Sequence, residues 1–148
     1  MLKEELNAAH DAFVCRDTRE LNPLQMAYVG DTVHDLYVRS MLVTRGMTVG
    51  KMHKQAVRMV SAGAQARMLE AIEPELTEKE ADVARRGRNS QAKHAAPKHA
   101  DPADYAHATG LEALWGYLYL SGQTQRLDEL MKMALSRTEE LWQKQSSK

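Results

Sequence analysis

Two carboxylates stand where carboxylates are costly. Asp31 follows Gly30, and its i−4 and i−7 neighbours are Ala27 and Leu24. On a helix it would therefore share a face with apolar side chains. Glu112 lies within Ala-Thr-Gly-Leu-Glu-Ala-Leu-Trp-Gly-Tyr-Leu-Tyr-Leu, the most apolar segment of the chain. Such an acid is destabilising unless it is paired, hydrogen-bonded or bound to a cation. Two of them could converge on one hard cation such as Mg2+, which favours oxygen ligands and keeps several waters. The plainer reading is that each acid caps a helix end or pairs with an arginine. Asp35, one turn after Asp31, reads first as an i,i+4 partner for Arg39 and second as an outer neighbour of a metal. His34 reads as a surface or interface histidine.

Other chemistries find no support. There is no CxxC pair, no HExxH and no glycine-rich phosphate loop, so zinc and nucleotide chemistry lack their usual donors. Cys15 is the only cysteine and has no recognisable partner set for nucleophilic catalysis. It also cannot form an internal disulfide, which suits a reducing, cytoplasmic location.

A second constellation is basic. Between Ala81 and Ala100 five cations (Arg85, Arg86, Arg88, Lys93 and Lys98) face the single acid Asp82, with His94 and His99 beside them. The whole chain balances 20 Lys+Arg against 20 Asp+Glu, so its neutrality conceals this patch. Guanidinium forks interleaved with Gly87 and Asn89 suit phosphate contact; a solvated loop is the plainer alternative. Lys51, Lys54 and Arg58 form a weaker strip at helical spacing.

The elements that must position these groups read as helices. Residues 2–17 place Leu2, Leu6, Ala9 and Phe13 on one side. Asn22-Pro23 is a helix start, with a good cap and then proline where its missing N–H does no harm. The segment from Leu24 to Val43 continues with no breaker but Gly30. Thr48 caps a helix from Val49 to about Val60, and Ala62 to Ile72 is another, ended by Pro74. Thr77-Glu78-Lys79-Glu80 is a capping box, starting a helix to about Arg86. Gly87 to Asp101 reads as a loop. Asp101-Pro102 starts a helix through about Leu120, Ser121-Gly122 ends it, and Thr124 to about Lys144 is the last. Residues 145–148 read as a frayed tail. Gly30 and Gly116 sit mid-helix, where glycine costs about 1 kcal/mol relative to alanine. Close helix–helix packing would explain both, and would bring the neighbouring acids together.

The chain has 148 residues, 43% hydrophobic and 27% charged, which fits one globular domain spanning 1–148. No strand alternation or internal repeat is visible. No apolar stretch approaches a membrane span, and the polar start resembles no secretory signal. The nine methionines suit filling of core gaps.

Three segments carry a resemblance. Leu24-Gln25-Met26-Ala27-Tyr28-Val29-Gly30-Asp31-Thr32-Val33 resembles the signature helix of the ribonuclease III family, roughly Leu-Glu-Phe-Leu-Gly-Asp-Ala-Val. Glu112-Ala113-Leu114-Trp115-Gly116-Tyr117-Leu118-Tyr119-Leu120 resembles its second acidic helix. Arg85-Arg86-Gly87-Arg88-Asn89, between them, is similar to its Arg-Gly-Arg-Asn stretch. Order and spacing agree over about residues 20 to 122. The chain stops near where a double-stranded-RNA-binding domain would begin. That end, Tyr28-Val29-Gly30-Asp31 and Pro97-Lys98 together resemble the Mini-ribonuclease III branch.

The resemblance implies an all-α ribonuclease III-type endonuclease domain, a helical bundle. It further implies a cytoplasmic homodimer that hydrolyses double-stranded RNA with Mg2+, with large-subunit (23S-type) ribosomal RNA precursor as the substrate class. It leaves room for a ribosomal protein as a further partner. Asp31 and Glu112 match the family's metal-binding acids. A further family glutamate falls on Ala27 and a further aspartate on Thr109, so one weakly held Mg2+ is the expectation, with RNA phosphate recruiting any second ion. Arg85, Arg86, Arg88, Asn89, Lys93, Lys98, Lys54 and Arg58 are the candidate RNA contacts. Two other classes compete: a non-catalytic double-stranded-RNA-binding module and a helical protein-interaction scaffold.

Overall fold

The computed structural model describes residues 17–143. The expected helix over 2–17, apart from Asp17, and the expected tail at 145–148 lie outside them. The described residues form seven α-helices and no strand: α1 (Pro23–Thr44), α2 (Val49–Met59), α3 (Ala62–Ile72), α4 (Glu78–Ala92), α5 (Pro102–Leu120), α6 (Thr124–Arg137) and α7 (Glu139–Gln143). The all-α helical bundle expected from the sequence is the fold observed.

Local chemistry sets the helix starts. Asn22 and Gln25 close a capping box ahead of Pro23, and Thr77 and Glu80 close a second at α4. Thr48, Ser61 and Asp101 each accept from a backbone N–H of the first turn. These contacts satisfy donors that the helix itself leaves free. The end of α5 is a Schellman motif. Gln123 donates to the Leu118 carbonyl at 2.8 Å and Gly122 donates to Tyr119, with Gly122 at φ 76°, a conformation that glycine adopts without penalty.

Helix α5 is the axis. It is buried nearly all round, through Leu111, Leu114, Trp115 and Leu118 among others, as its uniformly apolar sequence requires. Helices α1, α3, α4 and α6 pack against it. Met26, Met59, Met68 and Met131 are all buried, in keeping with the core role expected of methionine.

Three expectations need correction. First, Gly87 does not end α4, which continues to Ala92. A Cβ on Gly87 would lie 2.7 Å from the Ala113 Cβ and 3.1 Å from the Gly110 Cα. The glycine is therefore a contact point between α4 and α5, and only residues 93–101 connect the two helices. Second, the last helix breaks at Thr138, whose buried hydroxyl donates to the Ala134 carbonyl at 2.7 Å; α7 then turns to bury Trp142. Third, His34 is fully buried. Its Nδ1 accepts from the Trp115 indole N–H at 3.1 Å, and Nε2 lies 3.1 Å from the Met59 carbonyl. One tautomer serves both contacts: a neutral ring protonated on Nε2. Burial holds its pKa below the ordinary histidine value. His34 thus ties α1, α2 and α5 together from inside.

Candidate active site

The two suspect acids meet because two glycines let their helices touch. A Cβ at Gly30 would stand 1.6 Å from the Glu112 carbonyl oxygen, and one at Gly116 would stand 1.8 Å from the Met26 carbonyl oxygen. No side chain fits either place, so α1 and α5 are in backbone contact at two points. Asp31 is the residue after Gly30, and Glu112 lies one turn before Gly116. Both residues line one cleft, close enough for the charge of Asp31 to act on the Glu112 carboxyl.

Glu112 is half-buried, while Asp31 reaches solvent. Burial, reinforced by the neighbouring Asp31 carboxylate, pushes the Glu112 carboxyl up to about 9. At neutral pH this carboxyl therefore carries a proton. An acid pair that holds a proton so firmly is also disposed to accept a cation in its place. Neither acid takes up the plainer role of helix cap or arginine partner. Asp31 is mid-helix in α1 and Glu112 is mid-helix in α5, and among the described residues neither forms an ion pair with an arginine.

The rest of the cleft comes from several elements. Leu24, Ala27 and Tyr28 of α1 join Ala108 and Thr109 of α5, Val60 and Ala62 at the α2–α3 junction, Gln65 of α3, Gln91 of α4 and Tyr105. The wall holds neutral oxygens where more carboxylates would have been expected from the resemblance. Thr109 donates its hydroxyl to the Tyr105 carbonyl at 3.0 Å, and Ala27 contributes no polar atom. Among the described residues no group of three His, Cys, Asp or Glu side chains assembles to hold a metal. The donor set is thus two carboxylates with room for water, which fits one hydrated hard cation.

Gln65, Gln91 and Tyr105 were not singled out in the sequence. Gln65 had a signal of the same kind as the two acids. It lies in register with Met68, Leu69 and Ile72 at i+3, i+4 and i+7, a polar residue on the buried face of α3. Asp35 is bound to Arg39 at 3.0 Å, one turn along, so the simple pairing holds for it.

The basic residues fall on several surfaces. Arg85 and Arg86 are helical as expected, and Arg88 and Asn89 are also on α4 rather than in a loop. Arg85 is paired with Asp82 beside it. Arg88 sits at the seam with α5, its Cβ 3.5 Å from where a Gly110 side chain would begin. It is one turn from Gln91, which lines the cleft. Lys93 ends α4 and, with His94, borders an apolar hollow formed by Leu21, Leu24 and Tyr28 rather than the acidic cleft. Lys98 lies in the 93–101 connection and is exposed. Lys54 and Arg58 belong to α2, and Val60, which caps that helix, lines the cleft. Arg58 lines a separate hollow with Arg67 and Trp142, so the strip of α2 does not join the wall of the acidic cleft.

Comparison with known proteins agrees with this architecture. A family model described as the ribonuclease III domain matches residues 24–123, a span that contains both acids and α4. A Mini-ribonuclease 3 from Symbiobacterium thermophilum is 52% identical over 115 residues, which cover 77% of this chain and 88% of that one. A Mini-ribonuclease 3 from Brevibacillus brevis is 43% identical over 137 residues, covering 92% and 96%. A crystal structure of a Fusobacterium nucleatum protein, 23% identical, superposes with a TM-score of 0.73 over 82% of this chain and 98% of that one. At that identity it bears on the fold alone.

Proposed function

The chain belongs to the ribonuclease III family, a family of endoribonucleases, and on that premise we propose that it cuts double-stranded RNA with Mg2+ held by Asp31 and Glu112. The observation that carries the reading is the convergence of these two acids in one cleft, enforced by the glycine contacts of α1 and α5. The chemistry is hydrolysis of a phosphodiester. When bound there, Mg2+ stabilises negative charge on the phosphate and lowers the pKa of a water. The carboxylates of Asp31 and Glu112 hold the ion and fix its place against α5. Arg88 and Asn89 of α4, near Gln91 of the cleft wall, would grip phosphates beside the site, and Arg85, Arg86, Lys93, Lys98, Lys54 and Arg58, on other surfaces, would meet phosphates farther along the duplex. Such contacts position a duplex without reading its sequence.

The molecule acts as a homodimer. Helix α1 leaves Tyr28, Leu36 and Val43 exposed, at 83, 62 and 62%, spaced by eight and seven residues along one side. An apolar stripe of that kind suits a second copy of the same helix. A two-fold pair presents two equivalent clefts, one for each strand of a duplex. The substrate class we favour is the precursor of large-subunit ribosomal RNA, with a ribosomal protein as a further partner and the cytoplasm as the location. The similarity to proteins named Mini-ribonuclease 3 supports this choice.

The test is cleavage of a labelled RNA duplex across a Mg2+ series, with binding measured alongside. Wild type should cut. Asp31→Asn and Glu112→Gln should bind the duplex as wild type does and lose at least about a hundredfold in rate, since each removes a ligand charge. A wild type that binds duplex RNA but cuts at no Mg2+ concentration would instead make this chain a non-catalytic RNA-binding module.

A further inference from the structure

The wall of the cleft includes a residue whose buried side-chain oxygen has no partner. Gln65 is 3% exposed and lines the cleft with Asp31 and Glu112. Its Nε2 donates to the Val60 carbonyl at 3.0 Å. Its Oε1 has no hydrogen-bond partner and almost no accessible surface. Exchanging the amide's oxygen and nitrogen does not relieve this, because the oxygen would then face the Val60 carbonyl oxygen, an acceptor against an acceptor. A buried acceptor left unsatisfied is destabilising by roughly 1–3 kcal/mol, so its presence in a folded chain asks for a donor that occupies the cleft in the working state.

The position also argues for such a donor. Residues 68, 69 and 72 on the same face of α3 are fully buried Met, Leu and Ile, and leucine at 65 would fill the volume without a polar atom. The side chain is long enough to reach the cleft and is anchored at its nitrogen end, so the free oxygen is held at one place. With so little accessible surface, that oxygen suits a single small donor deep in the cleft better than a hydroxyl still attached to a ribose.

We propose that Gln65 is a positioning residue for the metal. Its side-chain oxygen accepts a hydrogen bond from a water of the Mg2+ that Asp31 and Glu112 hold. In a cleft with only two carboxylates, a neutral third oxygen orients the hydrated ion without adding charge. This rests on the metal-nuclease reading above.

The experiment measures metal binding by the RNA-free protein, with Mn2+ as the probe, by electron paramagnetic resonance of the free ion and by competition with Mg2+. Wild type, Gln65→Leu, Gln65→Glu and Asp31→Asn are compared. Gln65→Leu should weaken Mn2+ binding about five- to tenfold, the worth of one ordinary hydrogen bond, while melting within a few degrees of wild type in EDTA. Gln65→Glu should tighten binding at least about tenfold, because a third carboxylate joins the site. Asp31→Asn should lose binding altogether. Wild-type affinity in a folded Gln65→Leu would overturn the role of Gln65 while leaving the metal site standing. Should that variant not fold, unchanged affinity in Gln65→Glu overturns it equally. Wild-type affinity in Asp31→Asn would overturn the metal-nuclease reading and this inference together.

Discussion

A carboxyl that keeps its proton up to about pH 9 ties the chemistry of Glu112 to pH in two ways. In the metal-free protein the folded state holds a proton on Glu112 that the unfolded chain, at the ordinary value of 4.5, has lost. The folded pKa is raised, so the associated stability is present below about 4.5 and is lost as pH climbs to about 9. Glu112→Gln carries no such proton, so its melting temperature in EDTA should gain on that of wild type between pH 6 and pH 9. A cation must displace the proton, so Mg2+ affinity should rise with pH by up to about tenfold per unit below 9. Calorimetry in buffers of different ionisation enthalpy would detect the released proton; equal affinity at pH 6.5 and 8.5 would contradict the assignment of Glu112 as a ligand. His34 shows what sequence does not disclose at this scale. The sequence reads it as a surface or interface histidine. Its burial depends on Trp115 and Met59, which are distant in sequence and which only the packing of α1 against α2 and α5 brings to it. The two acids were legible because their local surroundings were already apolar, and Gln65 carried the same mark on α3.

Between elements, the decisive contacts are made by residues with no side chain. Gly30 and Gly116 each meet a backbone carbonyl of the facing helix, an obstacle that cannot rotate away. Gly30→Ala and Gly116→Ala should therefore each lower stability by about 2–4 kcal/mol despite the better helix propensity of alanine. Thermal or urea unfolding would measure this. Metal affinity should fall with the same variants, because separating α1 from α5 separates Asp31 from Glu112. Gly50→Ala, where a Cβ meets open space, is the control and should stay within about 0.5 kcal/mol of wild type. If the Gly30 and Gly116 variants match that control, the backbone contact is not what holds the site together. The helix starts were readable to the residue because caps are local chemistry, as at Asn22, Thr48, Thr77 and Asp101. The end of α4 was not. Gly87 resembles a breaker among arginines, and its role as a packing surface against Gly110 and Ala113 depends on α5, more than twenty residues away. The break at Thr138 escaped for the same reason: it serves the burial of Trp142, and nothing within the segment itself signals it.

At the scale of the whole molecule, the exposed stripe of α1 and the cleft belong to the same helix. Tyr28 lines the cleft and is also, among the described residues, the most exposed large apolar side chain. It further lines the hollow bordered by Leu21, Leu24, Lys93 and His94. A partner molecule covering this side would shield the stripe and bring its own cleft near the first. Covering an aromatic and two aliphatic side chains of this exposure contributes several kcal/mol at about 25 cal/mol per Å2 of apolar area, toward the cost of holding two chains together. Leu36 is the cleanest place to test this, since at 62% exposure it contacts neither acid and a charge there leaves the core intact. Leu36→Asp should sediment as a monomer at concentrations where wild type is a dimer, with an unchanged melting temperature at high dilution. Its metal affinity should equal that of wild type, because Asp31 and Glu112 come from one chain. Duplex cleavage should shift from coordinated cutting of both strands to slow nicking of single strands, since one cleft reaches one scissile bond. A wild type that sediments as a monomer at tens of micromolar would remove the dimer. Double-strand cutting would then require two independent encounters with the RNA, and its rate would vary with the square of protein concentration when binding is weak.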